Sequence, residues 1–318
     1  MPVSVTNFGN DRQVSQKYAS SSFADYIACF ISLIVCYSSV IGRVGNLEVY
    51  FITVIGTFLY EFNSMIFWRI FVTDCGFGMR IFLFGGFFAL ISSLILGNRL
   101  STAVHPLFKS DYYFQGLNLF GAIVIWCLLP VLNWVDLWHS PAIGTDANVL
   151  HVVSLNMWFA LCGSVIGSYC GSLAIYRKLS IHALVFSVFT GGIAYTSISD
   201  IYLNPGLAMG IGTIASFICT YLQEKIKKRM NHKGIRDSNG AVSSYLIPGL
   251  FAGILSAIFH ANGAMSYFSY AANFDSARDR YNQGGIQVAG IAIAIGIGIF
   301  GGLVVGGLMK MVNKRTSD

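Results

Sequence analysis

The chain has 318 residues, of which 55% are hydrophobic and 11% are charged, and its formal net charge is +6. Soluble domains carry about 25% charged residues, so this composition excludes a soluble globular protein. It predicts an all-α, polytopic bundle of membrane helices and leaves no stretch for a soluble domain of useful size.

A transmembrane helix needs about 20 mainly apolar residues, and about nine segments of this chain meet that requirement. In chain order they are residues 24–42, 47–72, 79–97, 114–138, 151–176, 181–197, 206–222, 243–260 and 284–309. Glycine and proline interrupt the sixth and seventh segments, which are short. We therefore expect a polar N-terminal segment (1–23), a transmembrane domain (24–312) and a short basic C-terminal tail (313–318).

The distribution of basic residues predicts the orientation of the bundle. Nine spans would place 14 of the 20 Lys and Arg residues on one side and 6 on the other. Because cytoplasmic loops carry the excess of Lys and Arg, the N-terminus is predicted outside and the C-terminus on the cytoplasmic-equivalent side. The plasma membrane and the mitochondrial inner membrane both stay open.

Glycines spaced by four residues indicate close helix packing, because they let two backbones approach. The pattern predicts packing faces in four spans, at residues 163/167/171, 206/210, 249/253 and 298/302/306. These faces support a tight bundle but do not identify a substrate.

Several classes of function find no support in the sequence. The seven cysteines show no CxxC pair or metal-ligand spacing, so we expect no metal and no cofactor. Phosphate loops, nucleophile elbows and paired catalytic carboxylates are absent, which argues against an enzyme. The basic run at 223–234 is one short interhelical loop, so we expect the lipid bilayer and not nucleic acid as the partner.

Three ionisable groups near or within the spans attract attention. Asp74 precedes the third span, where it could act at a pore mouth or cap the helix by accepting backbone N–H bonds; capping is favoured. Glu61 lies inside the second span, and a membrane acid is by default a functional hypothesis; the alternatives are snorkelling or a hydrogen bond to a neighbouring helix. His260 and His182 lie near span ends and are predicted to be interfacial.

Pro130 interrupts the fourth span in the stretch GAIVIWCLLPVLNW. A proline frees a backbone carbonyl, which within lipid must find another donor. Asn133, nearly one turn further on, is the expected donor, and the span is expected to kink here.

Three stretches, in this order, resemble the ammonium transporter/Rhesus family. DCGFGMRIFLFGGFFAL resembles the segment in which an Asp precedes the first pore histidine by eight residues, and Asp74 matches that Asp. GAIVIWCLLPVLNW resembles a Rhesus-type stretch in which Trp126, Pro130 and Asn133 match. DSNGAVSSYLIPGLFAGI resembles the stretch with the second pore histidine, and Pro248 is among its matching residues.

The resemblance implies a bundle of eleven or twelve helices, usually in a trimer, with a narrow apolar pore through each subunit. In that family two phenylalanines gate the outer mouth, and two facing histidines in the middle assist as ammonium sheds a proton and neutral ammonia passes. The resemblance also implies that this chain begins at the third helix of the family.

The chain departs from the family at all four pore positions. The first pore histidine falls on Phe82 and the second on Tyr245. The gate phenylalanines fall on Ala28 and Leu132, although a small shift in alignment would place Phe30 at the first gate. A plugged pore is the expected consequence, because no imidazole remains at these places and the two rings are bulkier.

Three hypotheses follow. The first is a degenerate family member that does not conduct ammonium and serves as a structural or accessory subunit of a membrane assembly, with other subunits or as a homotrimer. The second is a channel for neutral ammonia or carbon dioxide, which requires a continuous apolar tunnel past Phe82 and Tyr245. The third is an unrelated transporter, coupled to protons through Glu61 in a wet cavity.

Overall fold

The computed structural model describes residues 25–97, 112–138, 147–201, 204–232, 237, 239–262 and 282–315. Every regular element in these ranges is helical, as the composition predicts. We number the α-helices in chain order as α1 (Asp25–Ser38), α2 (Asn46–Ile70), α3 (Phe84–Leu96), α4 (Tyr112–Trp138), α5 (Ala147–Tyr176), α6 (Ile181–Ser187), α7 (Thr190–Tyr195), α8 (Pro205–His232), α9 (Ile247–Ala261) and α10 (Asn282–Arg315).

Three further helical segments connect these helices. A π-helical turn at Gly78–Leu83 leads into α3, and a second one at Val242–Leu246 leads into α9. A 3₁₀ turn at Thr196–Ile198 follows α7. Turns of the π type often occur at functional sites, and both of these lie at positions singled out from the sequence.

Within the described ranges, seven helical segments are long and apolar enough to cross a membrane, and Asp25–Ser38 and Ala183–Ile198 are shorter apolar helices. Each of the nine predicted segments contains a described helix, but the number of nine spans is not confirmed. The sixth predicted span is divided among α6, α7 and the 3₁₀ turn. The last helix ends at Arg315, three residues inside the predicted tail.

The predicted glycine face of α5 is confirmed. A Cβ atom added to Gly163 would lie 2.1 Å from the carbonyl oxygen of Met209, and one added to Gly167 would lie 2.2 Å from that of Thr213. A Cβ atom on Gly171 would lie 2.7 Å from the Cβ of Thr220. Because only glycine fits at such separations, α5 and α8 pack backbone against backbone in the same chain direction.

The glycine face of α10 is confirmed in the same way. Added Cβ atoms would lie 2.7 Å from the carbonyl oxygen of Phe84 at Gly298 and 2.8 Å from that of Phe88 at Gly302. At Gly306 the nearest atom would be the Cβ of Ile95, at 2.9 Å. Helix α10 therefore packs directly on α3.

The prediction for Gly206 and Gly210 is wrong. Gly210 faces open space, and the nearest atom to a Cβ on Gly206 belongs to Asn204, two residues away. Gly212 takes the packing role instead, since a Cβ there would lie 2.1 Å from the carbonyl oxygen of Ala160. The face that α8 turns toward α5 passes through residues 209, 212, 213, 216 and 220, and residues 206 and 210 fall outside it.

Candidate pore site

Two glycines bring the two predicted pore positions together. A Cβ atom on Gly86 would lie 2.6 Å from the Cβ of Leu246, and one on Gly249 would lie 2.7 Å from the backbone nitrogen of Leu83. The two π-turns and the helices that follow them therefore cross in near contact. Phe82 and Tyr245 precede the contacting leucines by one residue, so the crossing sets them side by side.

The side chains of Phe82 and Tyr245 stack on each other. Their ring centroids are 6.2 Å apart with an interplanar angle of 12°. The ring of Phe189 also stacks on that of Tyr245, with centroids 6.0 Å apart and an angle of 26°. Phe82 and Phe189 are buried and Tyr245 is partly buried. We call these three residues the ring stack.

Asp74 makes the capping hydrogen bonds that the sequence favoured. Its Oδ2 atom accepts from the backbone N–H groups of Met79 at 3.0 Å and Arg80 at 2.9 Å, in the first π-turn. Its Oδ1 atom accepts from the hydroxyl of Ser197 at 2.5 Å. The Nε atom of buried Arg80 lies 3.8 Å from Oδ2. The carboxylate thus joins the start of the turn to the segment after α7.

Asp237 caps the second π-turn in a similar way, through N–H groups four and five residues further along the chain. Its two carboxylate oxygens accept from the N–H groups of Ala241 at 2.8 Å and Val242 at 2.9 Å. Burial raises the pKa of the Asp237 carboxyl above its ordinary value, although these hydrogen bonds oppose the shift. Tyr245 follows Asp237 by eight residues, just as Phe82 follows Asp74.

A single offset of 163 positions relates the two halves of the site. It carries Asp74 onto Asp237 and Phe82 onto Tyr245. Leu83 corresponds to Leu246, and Gly86 corresponds to Gly249. The contact between Gly86 and Leu246 is therefore equivalent to the contact between Gly249 and Leu83. The site is therefore built from two equivalent units whose capped turns meet at the ring stack.

The prediction that Asn133 donates to the carbonyl freed by Pro130 is wrong. Helix α4 continues through Pro130, which leaves the carbonyl of Trp126 without its usual donor four residues on. The side-chain amide of Asn133 instead donates to the carbonyl of Leu129 at 2.9 Å, and its Oδ1 atom accepts from the hydroxyl of Ser199 at 2.8 Å. Asn133 therefore links α4 to the segment after α7, which also contains Ser197, the hydrogen-bond partner of Asp74.

Trp126 and Pro248 have structural contacts. The indole N–H of Trp126 donates to the carbonyl of Leu161 at 3.3 Å, and its ring meets that of Trp158 edge-on at a centroid distance of 4.9 Å. Pro248 lies in the first turn of α9, two residues after the end of the second π-turn.

The two gate positions are occupied by small or aliphatic buried residues. Ala28 and Leu132 both belong to the hydrophobic core. Phe30, the alternative for the first gate, is 64% exposed on the outside of α1. The outward position of Phe30 leaves no reason to shift the alignment toward it.

Glu61 and His260 differ from two of the expectations. Glu61 is exposed on the outer surface of α2, whereas proton coupling requires that it face a wet cavity. His260 lies at the end of α9 but is buried, so the prediction that it is interfacial is wrong. Its Nδ1 atom donates to the carbonyl of Ser256 at 2.7 Å, and its Nε2 atom lies 3.0 Å from the hydroxyl oxygen of Thr73. The side chain of His182 lies outside the described residues.

The sequence reasoning missed two residues of the site. Phe189 lies at the break between α6 and α7, and no spacing rule connects it with Tyr245. Ser197 supplies the third hydrogen bond to Asp74 from the 3₁₀ turn after α7. The equal spacing of Asp74 to Phe82 and Asp237 to Tyr245 is a signal that would have strengthened the pairing of the two pore positions.

Known proteins resemble this chain in sequence over most of its length. The sequence model of the Ammonium Transporter Family matches residues 13–318. Ammonium transporter Rh type C of Homo sapiens is 24% identical over 320 residues, covering 96% of this chain and 64% of the relative. Ammonium transporter Rh type B of Takifugu rubripes is 25% identical over 302 residues, covering 89% and 62%. The chain thus spans less than two thirds of the length of these relatives.

Solved structures show the same fold. Rh50 of Nitrosomonas europaea superimposes with a TM-score of 0.70 and 19% identity, covering 90% of this chain and 69% of that one. Mep2 of Saccharomyces cerevisiae gives a TM-score of 0.69 and 18% identity, covering 87% and 62%. With the family match across residues 13–318 and, in its described part, seven apolar helices long enough to span a bilayer, this chain is an integral membrane protein that belongs to the ammonium transporter family.

Proposed function

We propose that this chain is a degenerate family member that does not conduct ammonium and serves as a structural subunit of a membrane assembly. The observation that carries the proposal is the ring stack of Phe82, Tyr245 and Phe189. It occupies the place at which the family resemblance puts two facing histidines.

The separation of the rings supports a closed path between them. Carbon atoms in contact are about 3.5 Å apart, so an aromatic ring is about 3.5 Å thick. Two nearly parallel rings with centroids 6.2 Å apart therefore leave at most about 2.7 Å between their faces. A water-sized probe is about 2.8 Å across, so the gap between Phe82 and Tyr245 does not admit a molecule of that size.

The chemistry of the rings supports the same proposal. Imidazole offers a nitrogen that accepts and donates a proton near neutral pH. A phenyl ring has no such group, and the hydroxyl of a tyrosine does not replace it. Neither Phe82 nor Tyr245 can therefore take over the proton-handling role that the resemblance assigns to the histidines.

The rival hypotheses need features that fit these contacts less well. A channel for neutral ammonia or carbon dioxide needs space past Phe82 and Tyr245, whose ring centroids are 6.2 Å apart. Proton-coupled transport through Glu61 needs a wet cavity at that acid, which is exposed on the outside of α2. The proposed orientation, with the C-terminus on the cytoplasmic-equivalent side, rests on the distribution of basic residues.

Proteoliposome flux tests the proposal. The purified protein is exposed to an inward ammonium gradient while a fluorescent dye reports internal pH, and a second series uses carbon dioxide. Reconstituted Rh50 of Nitrosomonas europaea serves as the comparison and empty liposomes as the background. Alkalinisation no faster than in empty liposomes is expected. Faster alkalinisation would refute the closed pore, and a faster carbon dioxide response would favour the gas channel.

A further inference from the structure

The last two turns of α8 carry a group of exposed basic residues. The chain is helical here as far as His232, so the expectation of an interhelical loop is wrong for these residues. Two more exposed cations directly follow the end of the neighbouring helix α5. We call the six residues together the basic end; they are Arg177, Lys178, Lys225, Lys227, Lys228 and Arg229.

The two helix ends that carry these cations lie at the same depth in the bundle. Helices α5 and α8 run in the same direction and touch where a Cβ atom on Gly171 would lie 2.7 Å from the Cβ of Thr220. Arg177 comes six residues after Gly171, and Lys225 comes five residues after Thr220. The sequences of α5 and α8 contain a single acid, Glu224, so the basic end has an excess of positive charge.

The length of α8 places its end outside the hydrocarbon core of a bilayer. Its 28 residues span about 42 Å, whereas the core is about 30 Å thick. About eight residues therefore extend beyond the core. The first turns of α8 are apolar, whereas its last eight residues include four Lys and Arg. The C-terminal end of α8 is therefore the one that reaches the headgroup region.

The exposed apolar face of α8 leads directly onto two of these lysines. Side chains that recur at helical spacing share one face, and those exposed on this face of α8 are Leu207, Ile214, Phe217 and Tyr221. The next positions on the same face, four and seven residues after Tyr221, are Lys225 and Lys228. A lipid chain that lies along this face would therefore have its headgroup beside the two lysines.

Tyr221 and Lys225 form an anchor at the level of the headgroups. The ring of Tyr221 stacks on that of Phe217, with centroids 6.4 Å apart and an angle of 5°. The Nζ atom of Lys225 lies 4.1 Å from the centroid of the Tyr221 ring and donates to its hydroxyl. Tyrosines mark the interfaces of membrane helices. An ammonium group has three N–H donors, so Lys225 can also reach a phosphate oxygen.

We propose that the basic end binds the phosphate of an anionic phospholipid, whose acyl chain lies along the exposed face of α8. Lys225 and Lys228 contact the phosphate, and the cations that follow α5 strengthen the attraction. The positive charge argues against a second copy of this chain, because two such ends would repel each other. The apolar face that continues into the lysines favours a lipid over a soluble acidic polypeptide. The inference does not depend on whether the pore conducts.

Lipid binding by the purified protein tests this proposal. Phosphatidylglycerol, which is anionic, and phosphatidylcholine, which has no net charge, are titrated separately into the protein in detergent. Native mass spectrometry measures the dissociation constant of each lipid. A basic residue near an anionic lipid surface strengthens binding about fivefold. We therefore expect Lys225 and Lys228 together to give phosphatidylglycerol a preference of about 25-fold.

Variants assign this preference to the end of α8. Lys225→Gln and Lys228→Gln should each lower it by about fivefold, whereas Lys225→Arg should retain it because the charge is kept. Lys310→Gln, which removes an exposed lysine near the end of α10, is the matched control and should leave the preference unchanged. Equal binding of the two lipids, a preference that survives removal of both lysines, or an equal loss in Lys310→Gln would overturn the proposal.

Two further probes distinguish a lipid from other anions. Glycerol phosphate has the headgroup chemistry without acyl chains, and a hexaglutamate peptide represents an acidic polypeptide. Neither should displace phosphatidylglycerol when added at the same concentration of charge. Displacement by glycerol phosphate would indicate a site for free phosphate, and hexaglutamate binding that depends on Lys225 would indicate a site for an acidic protein. Either result would overturn the proposal.

Discussion

Two substitutions separate the contribution of the capping hydrogen bonds of Asp74 from the contribution of its negative charge. Asp74→Ala removes the acceptor of three donors, which are the N–H groups of Met79 and Arg80 and the hydroxyl of Ser197. Asp74→Asn keeps an oxygen for the two N–H groups, and its amide can donate to the serine oxygen. Both variants lose the negative charge beside Arg80, so that loss cancels in the comparison.

The expected difference follows from the three donors. A buried donor left without an acceptor costs about 1–3 kcal/mol. At the low end of this range, Asp74→Ala should be less stable than Asp74→Asn by about 3 kcal/mol. The measurement is reversible unfolding in mixed micelles, followed by circular dichroism, for the wild type and both variants.

Glu61→Ala is the matched control, because Glu61 is a span acid on an exposed face. Its free energy of unfolding in micelles should stay within about 0.5 kcal/mol of the wild type. If Asp74→Ala and Asp74→Asn were equally unstable within about 1 kcal/mol, the charge of Asp74 and not its capping bonds would stabilise the turn. That result would refute the capping role of Asp74.

Two further predictions concern the crossing of the turns. Gly249→Ala should destabilise the protein by about 1–3 kcal/mol, because the new methyl group would lie 2.7 Å from the backbone nitrogen of Leu83. The control Gly210→Ala places its methyl group in open space and should be neutral or slightly stabilising when unfolding in micelles is followed by circular dichroism. Equal effects of the two substitutions would contradict the close contact at Gly249. Stability should fall as the pH rises from the ordinary Asp237 pKa of 3.8 to its raised folded-state value, since the folded state binds more protons in that window. The free energy of unfolding is measured as a function of pH, and Asp237→Asn should reduce its fall in this window. An unchanged slope of the free energy of unfolding against pH would show that another group causes the fall.

The sequence favoured Asp74 as a helix cap, and its carboxylate accepts two backbone N–H bonds at the start of the first π-turn. The resemblance placed Phe82 and Tyr245 at facing positions, and the structure brings their rings to a centroid distance of 6.2 Å. Their assignment to the histidine positions of the family stays a prediction, which flux measurements address.

Other features depend on the tertiary arrangement and could not be predicted. The approach of Phe189 to Tyr245 requires the break between α6 and α7, which local patterns do not position in space. The outward direction of Glu61 was equally hidden, because both faces of α2 are rich in apolar residues and give no clear periodicity. Gly206 and Gly210 show that a four-residue spacing identifies a possible packing face without showing that the face is used.

The most direct test of the closed pore is the ammonia conductance of a variant in which the ring stack is opened. Phe82→His, Tyr245→His and Phe189→Ala are combined, and Phe217→Ala, which removes a partly exposed ring of α8, is the control for loss of an aromatic residue. Gel filtration and thermal unfolding verify that each variant is folded before reconstitution.

The account predicts that internal alkalinisation in the wild type and in Phe217→Ala matches that of empty liposomes, whereas the triple variant is clearly faster. A conducting wild type would contradict the account. So would a folded triple variant that is as slow as the wild type, because the ring stack would then not be what closes the path.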